Sequence, residues 1–426
     1  MGKMLKLAAC LLVVCILLSG CFDAREIDDE VYAISIGIDK GTKNTIRLTI
    51  QYATYAGGGQ QSGSSGMENP NMQGDSIVQT IECPSVLEGI DMFGMAISRR
   101  ISLMHAKMVV FSEEFAKEGV GIYLAPIERY RETRGSMAVV VTRGSAEEFI
   151  KEVKSNIGGT ISKAVELMFL QAKYNNYFPY IQFNEFYKNI ISSYQQPIAI
   201  YGDINDFKNK TDEKSQDVPM SIMKGYLPGE IPRRGVTKIE YAGVAVFNGD
   251  KMEGALDFYE CTYYLILIGK FKTGAITFKD PNAPENVIVL DIRSEKKPKI
   301  KAYFQDGKPV IDINLKIESD IESIQSRINY EEEDLHRELT DYAKKILTDN
   351  MYKLIEKVQK ELGSDIFGFG RYMAGNFKTI QEWEEYNWFS HFPEAQVNLE
   401  LDLHIRRSGM MTGSSPIWTR DGREES

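Results

Sequence analysis

Several groups of residues in this 426-residue chain have the types and spacing for chemistry. Glu400, Asp402 and His404 recur at every second position, so three metal-capable side chains project from one face of a strand. A linear row of this kind rarely closes a coordination sphere, and the spacing predicts a solvated strand face. Asp365 to Gly370 contains a Gly-x-Gly, but position 373 is Met and no strand-to-helix dinucleotide context precedes it. A tight turn that lets Phe367 and Phe369 pack beneath a helix is expected there, in preference to a phosphate cradle. His105 precedes an apolar strand and is of the residue type that most often serves as a general base, yet no Ser or Cys sits in a nucleophile motif such as Gly-x-Ser-x-Gly, so a structural histidine is expected. Trp383 and Trp388 on a Glu-rich helix are expected to serve packing. The run Glu128, Arg129, Arg131, Glu132, Arg134 has two readings. It is either a solvated helix end with local ion pairs or, because Arg beside Tyr123 and Tyr130 has interface composition, a partner-facing patch of Arg129, Arg131 and Arg134. No residue is nominated as catalytic, metal-binding or cofactor-binding, and no enzymatic activity is expected.

One cysteine does carry a chemistry. Lys3 and Lys6 form a basic start, Leu7 to Leu18 is apolar or small, and Leu17-Leu18-Ser19-Gly20-Cys21 follows. This is signal-peptide grammar over residues 1–20. The uncharged stretch from Leu7 to Phe22 is 16 residues, short of the roughly 20 a membrane-spanning helix needs. The sequence resembles the bacterial lipobox, in which the Cys thiol takes a diacylglyceryl group and becomes the first residue after cleavage. Two or more acyl chains hold stably where one holds only marginally. Removal of the leader leaves 48 basic against 60 acidic residues, a formal −12, so anionic lipid does not hold the body down by net charge. The same acidity disfavours nucleic acid as a partner. The other cysteines of the mature chain, Cys83 and Cys261, fit no paired spacing and are expected to be buried small apolar residues.

The elements that must position these residues follow from periodicity. Residues 21–30 are an anchor and a charged tether. An α/β domain is expected over 31–196, opening with a hairpin of alternating Ile34, Ile36, Ile38 and Ile46, Leu48, Ile50, and interrupted by a Gly/Ser/Gln-rich flexible loop at 56–76. Ser145-Ala146-Glu147-Glu148 predicts a capping box. A boundary is expected near Gln195 to Gln216, then a middle domain over 197–280 with a type I′ turn at Asn248-Gly249. A C-terminal α/β domain is expected over 281–409, with several strands, a second hairpin turn at Asp306-Gly307 and a long amphipathic helix through Leu335, Leu339, Tyr342, Ile346, Leu354, Val358 and Leu362. Strict alternation from Val397 to Ile405 predicts a half-buried strand, and 410–426 a disordered tail. The class is α+β (mixed α/β), with mixed or antiparallel sheets flanked by helices.

Three blocks in order then resemble the Ger(x)C family, the lipoprotein C subunits of bacterial spore nutrient-germinant receptors. The first is Gly20-Cys21-Phe22-Asp23 with Arg25-Glu26-Ile27-Asp28 and Ile36-Gly37-Ile38-Asp39, Phe22 standing where the family has Trp, followed by Leu103-Met104-His105-Ala106-Lys107, Arg129 and Arg134. The second is Gly243 to Lys251 with Gly269-Lys270. Nearby, Glu260-Cys261-Thr262-Tyr263-Tyr264 departs from the family's Arg-Gly. The third is Asp365 to Gly370, Trp388, Phe392-Pro393 and Ile405 to Gly409. The resemblance implies a three-domain lipoprotein acylated at Cys21 (diacylglyceryl and palmitate), on the outer face of the spore inner membrane. Its partners would be a larger A subunit and a permease-like B subunit, with no cofactor. The alternative is a lipid-anchored solute-binding protein delivering a nutrient to a permease, which would need two similar α/β lobes around a cleft.

Overall fold

The computed structural model describes residues 2–6, 8, 29–53, 72–73, 76–155, 159–206, 225–233, 235–407, 417–419 and 422–424. Cys21, most of the leader and the tether, and most of the 56–76 loop lie outside the described residues.

The chain is α+β. Its first sheet begins with β1 (Glu30–Lys40) and β2 (Ile46–Ala53), the expected antiparallel hairpin, continued by a short β3 (Met72–Gln73) and by β4 (Ser76–Cys83). Ser85 caps α1 (Val86–Phe93), after which β5 (Arg100–Ser102) pairs with the start of β1. β6 (Met108–Ser112), the short helices α2 (Glu113–Glu118) and α3 (Gly121–Arg129), β7 (Ala138–Thr142) and α4 (Ala146–Glu152) follow. The runs Met108 to Phe111 and Ala138 to Val141 are fully buried, as parallel strands covered on both faces require. Next come α5 (Ile161–Leu170), α6 (Phe183–Ile190) and β8 (Ile198–Ile204).

The sheet does not end at the boundary expected near 196. β8 pairs parallel with β7, and β9 (Ile239–Asn248) and β10 (Lys251–Leu256) extend the same sheet, giving the order β10-β9-β8-β7-β6-β1-β2-β4-β3. Of the strands in the range 197–280 expected to make a middle domain, β8, β9 and β10 are thus the outer strands of the first sheet, and only the strand Thr273–Lys279 belongs to a second sheet. The stretch Gln195 to Gln216, which resembles a linker, contains β8 itself, and its residues 207–216 lie outside the described residues. The β9–β10 turn also differs from expectation: its central residues are Gly249 and Asp250, and only Gly249 has positive φ (61°), so glycine occupies the first central position, as in type II′.

α7 (Phe258–Leu267) is opened by a complete capping box between Asp257 and Glu260 and is buried almost all round. The second sheet follows: β11 (Thr273–Lys279), β12 (Val287–Ser294), β13 (Lys299–Gln305), the 17-residue β14 (Lys308–Ile324) and β15 (Gln396–Arg407), with β15 parallel to β14 and the rest antiparallel. The Asp306-Gly307 turn has φ of 50° and 78°, as a type I′ turn needs. The long helix is α8 (Glu333–Glu356), which packs on both β15 and α7, buries Leu339, Ala343, Leu347, Met351 and Leu354, and passes into a π turn at Lys357–Glu361. Each such fully buried Leu contributes about 1.5–3 kcal/mol. α9 (Ile380–Tyr386) follows. Within the tail expected to be disordered, the backbone of Ile417–Thr419 pairs antiparallel with Gly422–Glu424.

Candidate functional site

Two places gather the residues singled out above. The first is the loop around Asp365. Its carboxylate is fully buried and accepts from the backbone N–H of Gly368 (2.9 Å), Phe369 (3.2 Å) and Gly370 (2.8 Å) and from Trp388 Nε1 (2.8 Å). The loop amides that a phosphate cradle would need are therefore spent on the chain's own carboxylate. Burial pushes the Asp365 carboxyl up to about 6, against the pull of these four donors. Gly368 has φ of 75°, and a Cβ on Gly370 would lie 2.5 Å from the Tyr194 carbonyl oxygen and 2.7 Å from Trp388 Cδ1, so both glycines are required. Phe367 and Phe369 stack at 5.0 Å and are buried as expected.

This loop docks the second sheet's layer onto the first. Gln196 N donates to Asp365 O (2.9 Å), Gln195 Nε2 to Ile366 O (2.8 Å) and Trp383 Nε1 to Ser193 Oγ (3.0 Å), while Tyr194 stacks on Trp383 at 5.5 Å. Trp383 and Trp388 are both buried. A second tie runs through α7: Lys357 Nζ bonds both Glu260 carboxylate oxygens (2.8 and 2.7 Å), and Asn350 Nδ2 donates to Tyr263 OH (3.1 Å).

The second place is the end of the first sheet where β1 begins. β6 and β7 run parallel to β1, so the segments entering them, 103–107 and 130–137, lie at this end. Arg100 on β5 joins them: it donates to Glu132 Oε1 (2.8 Å) and to Tyr130 OH (3.2 Å) and lies 3.9 Å from Glu30. Sequence spacing does not single out Arg100, because its partners are 30 and more residues away. Arg129, Arg131 and Arg134 are exposed, and no ion pair involves them among the described residues. Of the two readings of this run, the local ion pair exists only for Glu132, and its partner lies outside the run.

The remaining candidates make local contacts. His105 is exposed and sets its ring edge-on against Tyr32 at 4.6 Å. On β15, Asp402 pairs with Lys316 across the ladder (3.1 Å) and lies 2.9 Å from His404 Nε2, and Glu318 pairs with Arg406, so cross-strand ion pairs occupy this face. Among the described residues no group of three His, Cys, Asp or Glu is placed to hold a metal. Cys83 and Cys261 are separate buried thiols, with Cys261 pushed well above the usual thiol range by burial. Asp39, the last residue of the Ile36-Gly37-Ile38-Asp39 block, is a buried helix cap. It accepts from Ala146 N (2.8 Å), Glu147 N (3.0 Å) and Ser145 Oγ (3.1 Å) at the start of α4. No helix among the described residues is long and apolar enough to cross a membrane.

Residues 23–204 match the family description "Spore germination protein N-terminal domain", and residues 242–409 match "Spore germination B3/ GerAC like, C-terminal". Curated relatives include "Spore germination protein KC" of Bacillus subtilis (strain 168), 24% identical with 95% of this chain and 96% of the relative covered, and "Spore germination protein B3" of the same organism, 21% identical over 92% and 95%. The fold is similar to a structure described as "Crystal Structure of the GerBC protein", with a TM-score of 0.51 at 17% identity, covering 87% of this chain and 96% of that one. A role in spore germination comes with these relationships. The chain belongs to the Ger(x)C family of spore germination proteins.

Proposed function

We propose that the chain is a non-enzymatic, lipid-anchored C subunit of a spore nutrient-germinant receptor, held on the outer face of the spore inner membrane through acylated Cys21. Its partners in this reading are the receptor's A and B membrane subunits, met through the exposed patch of Arg129, Arg131 and Arg134. The observation that carries the reading is the order of parts: a lipobox, a nine-residue tether spanning at most about 30 Å, and β1, whose first residue lies beside Arg100 and the arginine segment. A short tether also raises the effective concentration of the body near membrane subunits, so a modest patch suffices. The solute-binding alternative calls for two similar lobes, whereas the two sheets here differ in strand number, order and direction.

The test is a pull-down from spore membranes with the wild type and Cys21→Ala, with mass spectrometry of partners and of the N-terminus. The reading expects a diacylated Cys21, co-purification of two membrane subunits, and loss of membrane localisation in Cys21→Ala. An unlipidated chain, or one recovered with an ABC-type permease, overturns it.

A further inference from the structure

A cleft of about 280 Å³ opens at the same end of the first sheet, between the segments entering β6 and β7 and the helix α5. Lys107, Arg134, Ser136 and Glu166 line its polar side, and Phe169 and Tyr180 its apolar side, their rings stacked at 5.9 Å. The Tyr180 hydroxyl donates to the Ser136 carbonyl, which fixes the floor. Glu166 is fully engaged: Lys107 Nζ lies 3.0 Å from one carboxylate oxygen and Lys163 Nζ 2.9 Å from the other. These two lysines hold the Glu166 carboxyl down to about 2, so it stays ionised.

Lys107, Lys163 and Arg134 against Glu166 leave two positive charges in excess at this spot, in a chain whose formal charge is −10. Arg134 makes no ion pair among the described residues, and Lys107 has three donors of which Glu166 takes one. A planar guanidinium with unused donors beside a second cation suits an oxyanion, which it can grip through two parallel hydrogen bonds. The partly exposed Tyr180 ring, backed by the buried Phe169, offers an apolar wall for an uncharged stem. The volume equals about nine waters at ~30 Å³ each and falls just below the range of drug-sized pockets, about 300–1,000 Å³.

We propose that this cleft binds a small oxyanion, a carboxylate or phosphate group carried on a short uncharged stem, with Arg134 and Lys107 as its cationic contacts and Phe169 and Tyr180 beneath the stem. Such a group comes from a free solute or from a lipid headgroup. The second source draws on the membrane-anchored reading, because the cleft lies at the end where the tether enters.

The experiment uses the full chain carrying Cys21→Ala, so that binding is read without the anchor and independently of receptor partners. Inorganic phosphate and acetate are titrated calorimetrically against chloride at matched ionic strength. Flotation is then measured with phosphatidylglycerol and phosphatidylcholine vesicles. Saturable binding of phosphate or acetate, weakened at least about tenfold (~1.4 kcal/mol) by Arg134→Gln and by Lys107→Gln but not by Lys301→Gln, supports the site. Flotation with phosphatidylglycerol alone, lost in Arg134→Gln, assigns it to a headgroup, and soluble-anion binding without flotation assigns it to a free solute. The proposal is overturned by affinities unchanged in Arg134→Gln, or by neither saturable binding up to roughly 10 mM nor headgroup-selective flotation. Arg134 is exposed, so its variant reports binding even if Lys107→Gln fails to fold.

Discussion

The Asp365 loop and the arginine segment are both rich in polar groups, and they differ in what those groups touch. At Asp365 each carboxylate oxygen accepts two N–H donors, and the neighbouring carbonyls of residues 365 and 366 receive Gln196, Gln195 and Tyr264. Nothing is left over, and removing any member strands a buried partner. At the start of β1, Arg100 is spent on Glu132 and Tyr130, while Arg129, Arg131 and Arg134 project from the surface without ion pairs among the described residues. The contrast separates a polar cluster that builds the fold from one that leaves binding capacity unused, although both read as motif residues in the sequence.

This contrast breaks most readily at its buried side. Asp365→Asn turns an –NH₂ toward two N–H donors in a buried site and is expected to cost about 3–5 kcal/mol in chemical denaturation at pH 4, where the wild-type group contributes most. A loss under 1 kcal/mol would mean that the loop is not a fastening point. The pH dependence sharpens the same point. Because burial lifts the folded carboxyl from 3.8 to about 6, the folded state holds a proton that the unfolded state has released, and the group's stabilising contribution, present below about pH 4, is lost as the pH rises through about 6. Denaturation curves at pH 4 and 7 should therefore show the wild type losing stability relative to Asp365→Asn as the pH rises. A flat difference contradicts a buried, proton-linked Asp365.

Gly370→Ala comes next. Its Cβ meets a backbone carbonyl and an indole that cannot move apart, so about 1–3 kcal/mol of overpacking is expected from the shift in thermal midpoint. The smallest stability effect belongs to the exposed side: Arg129→Gln with Arg131→Gln should change unfolding free energy by less than about 0.5 kcal/mol, as surface changes do. A large loss there would move the segment into the structural class.

Much of the fold was legible because periodicity reports local burial. The β1–β2 hairpin, the α8 stripe and the β15 alternation all appear at their expected places. Long-range pairing carries no such signal. Gln195 to Gln216 has a linker's composition, yet it contains β8, and the segment matched to the C-terminal family description lends β10 and most of β9 to the same first sheet. The run Leu17 to Cys21 that resembles a lipobox is contiguous in the chain, so reading it needs no long-range contact. The cap from Asp39 to α4 spans more than 100 residues and is visible only once the strands are placed. The Asp257 to Glu260 capping box is local and was present in the spacing of the sequence. Asp365 was legible as part of a tight turn and not as its centre, since the donors from Trp388 and the contact with Gln196 come from other elements.

The most direct test of the central claim compares wild type and the Arg129→Glu, Arg131→Glu variant by co-purification from spore membranes, with thermal midpoints measured in parallel. The account predicts that the variant keeps its midpoint and its lipid anchor yet loses the A and B subunits. Equal recovery of both subunits with the variant and the wild type would contradict it.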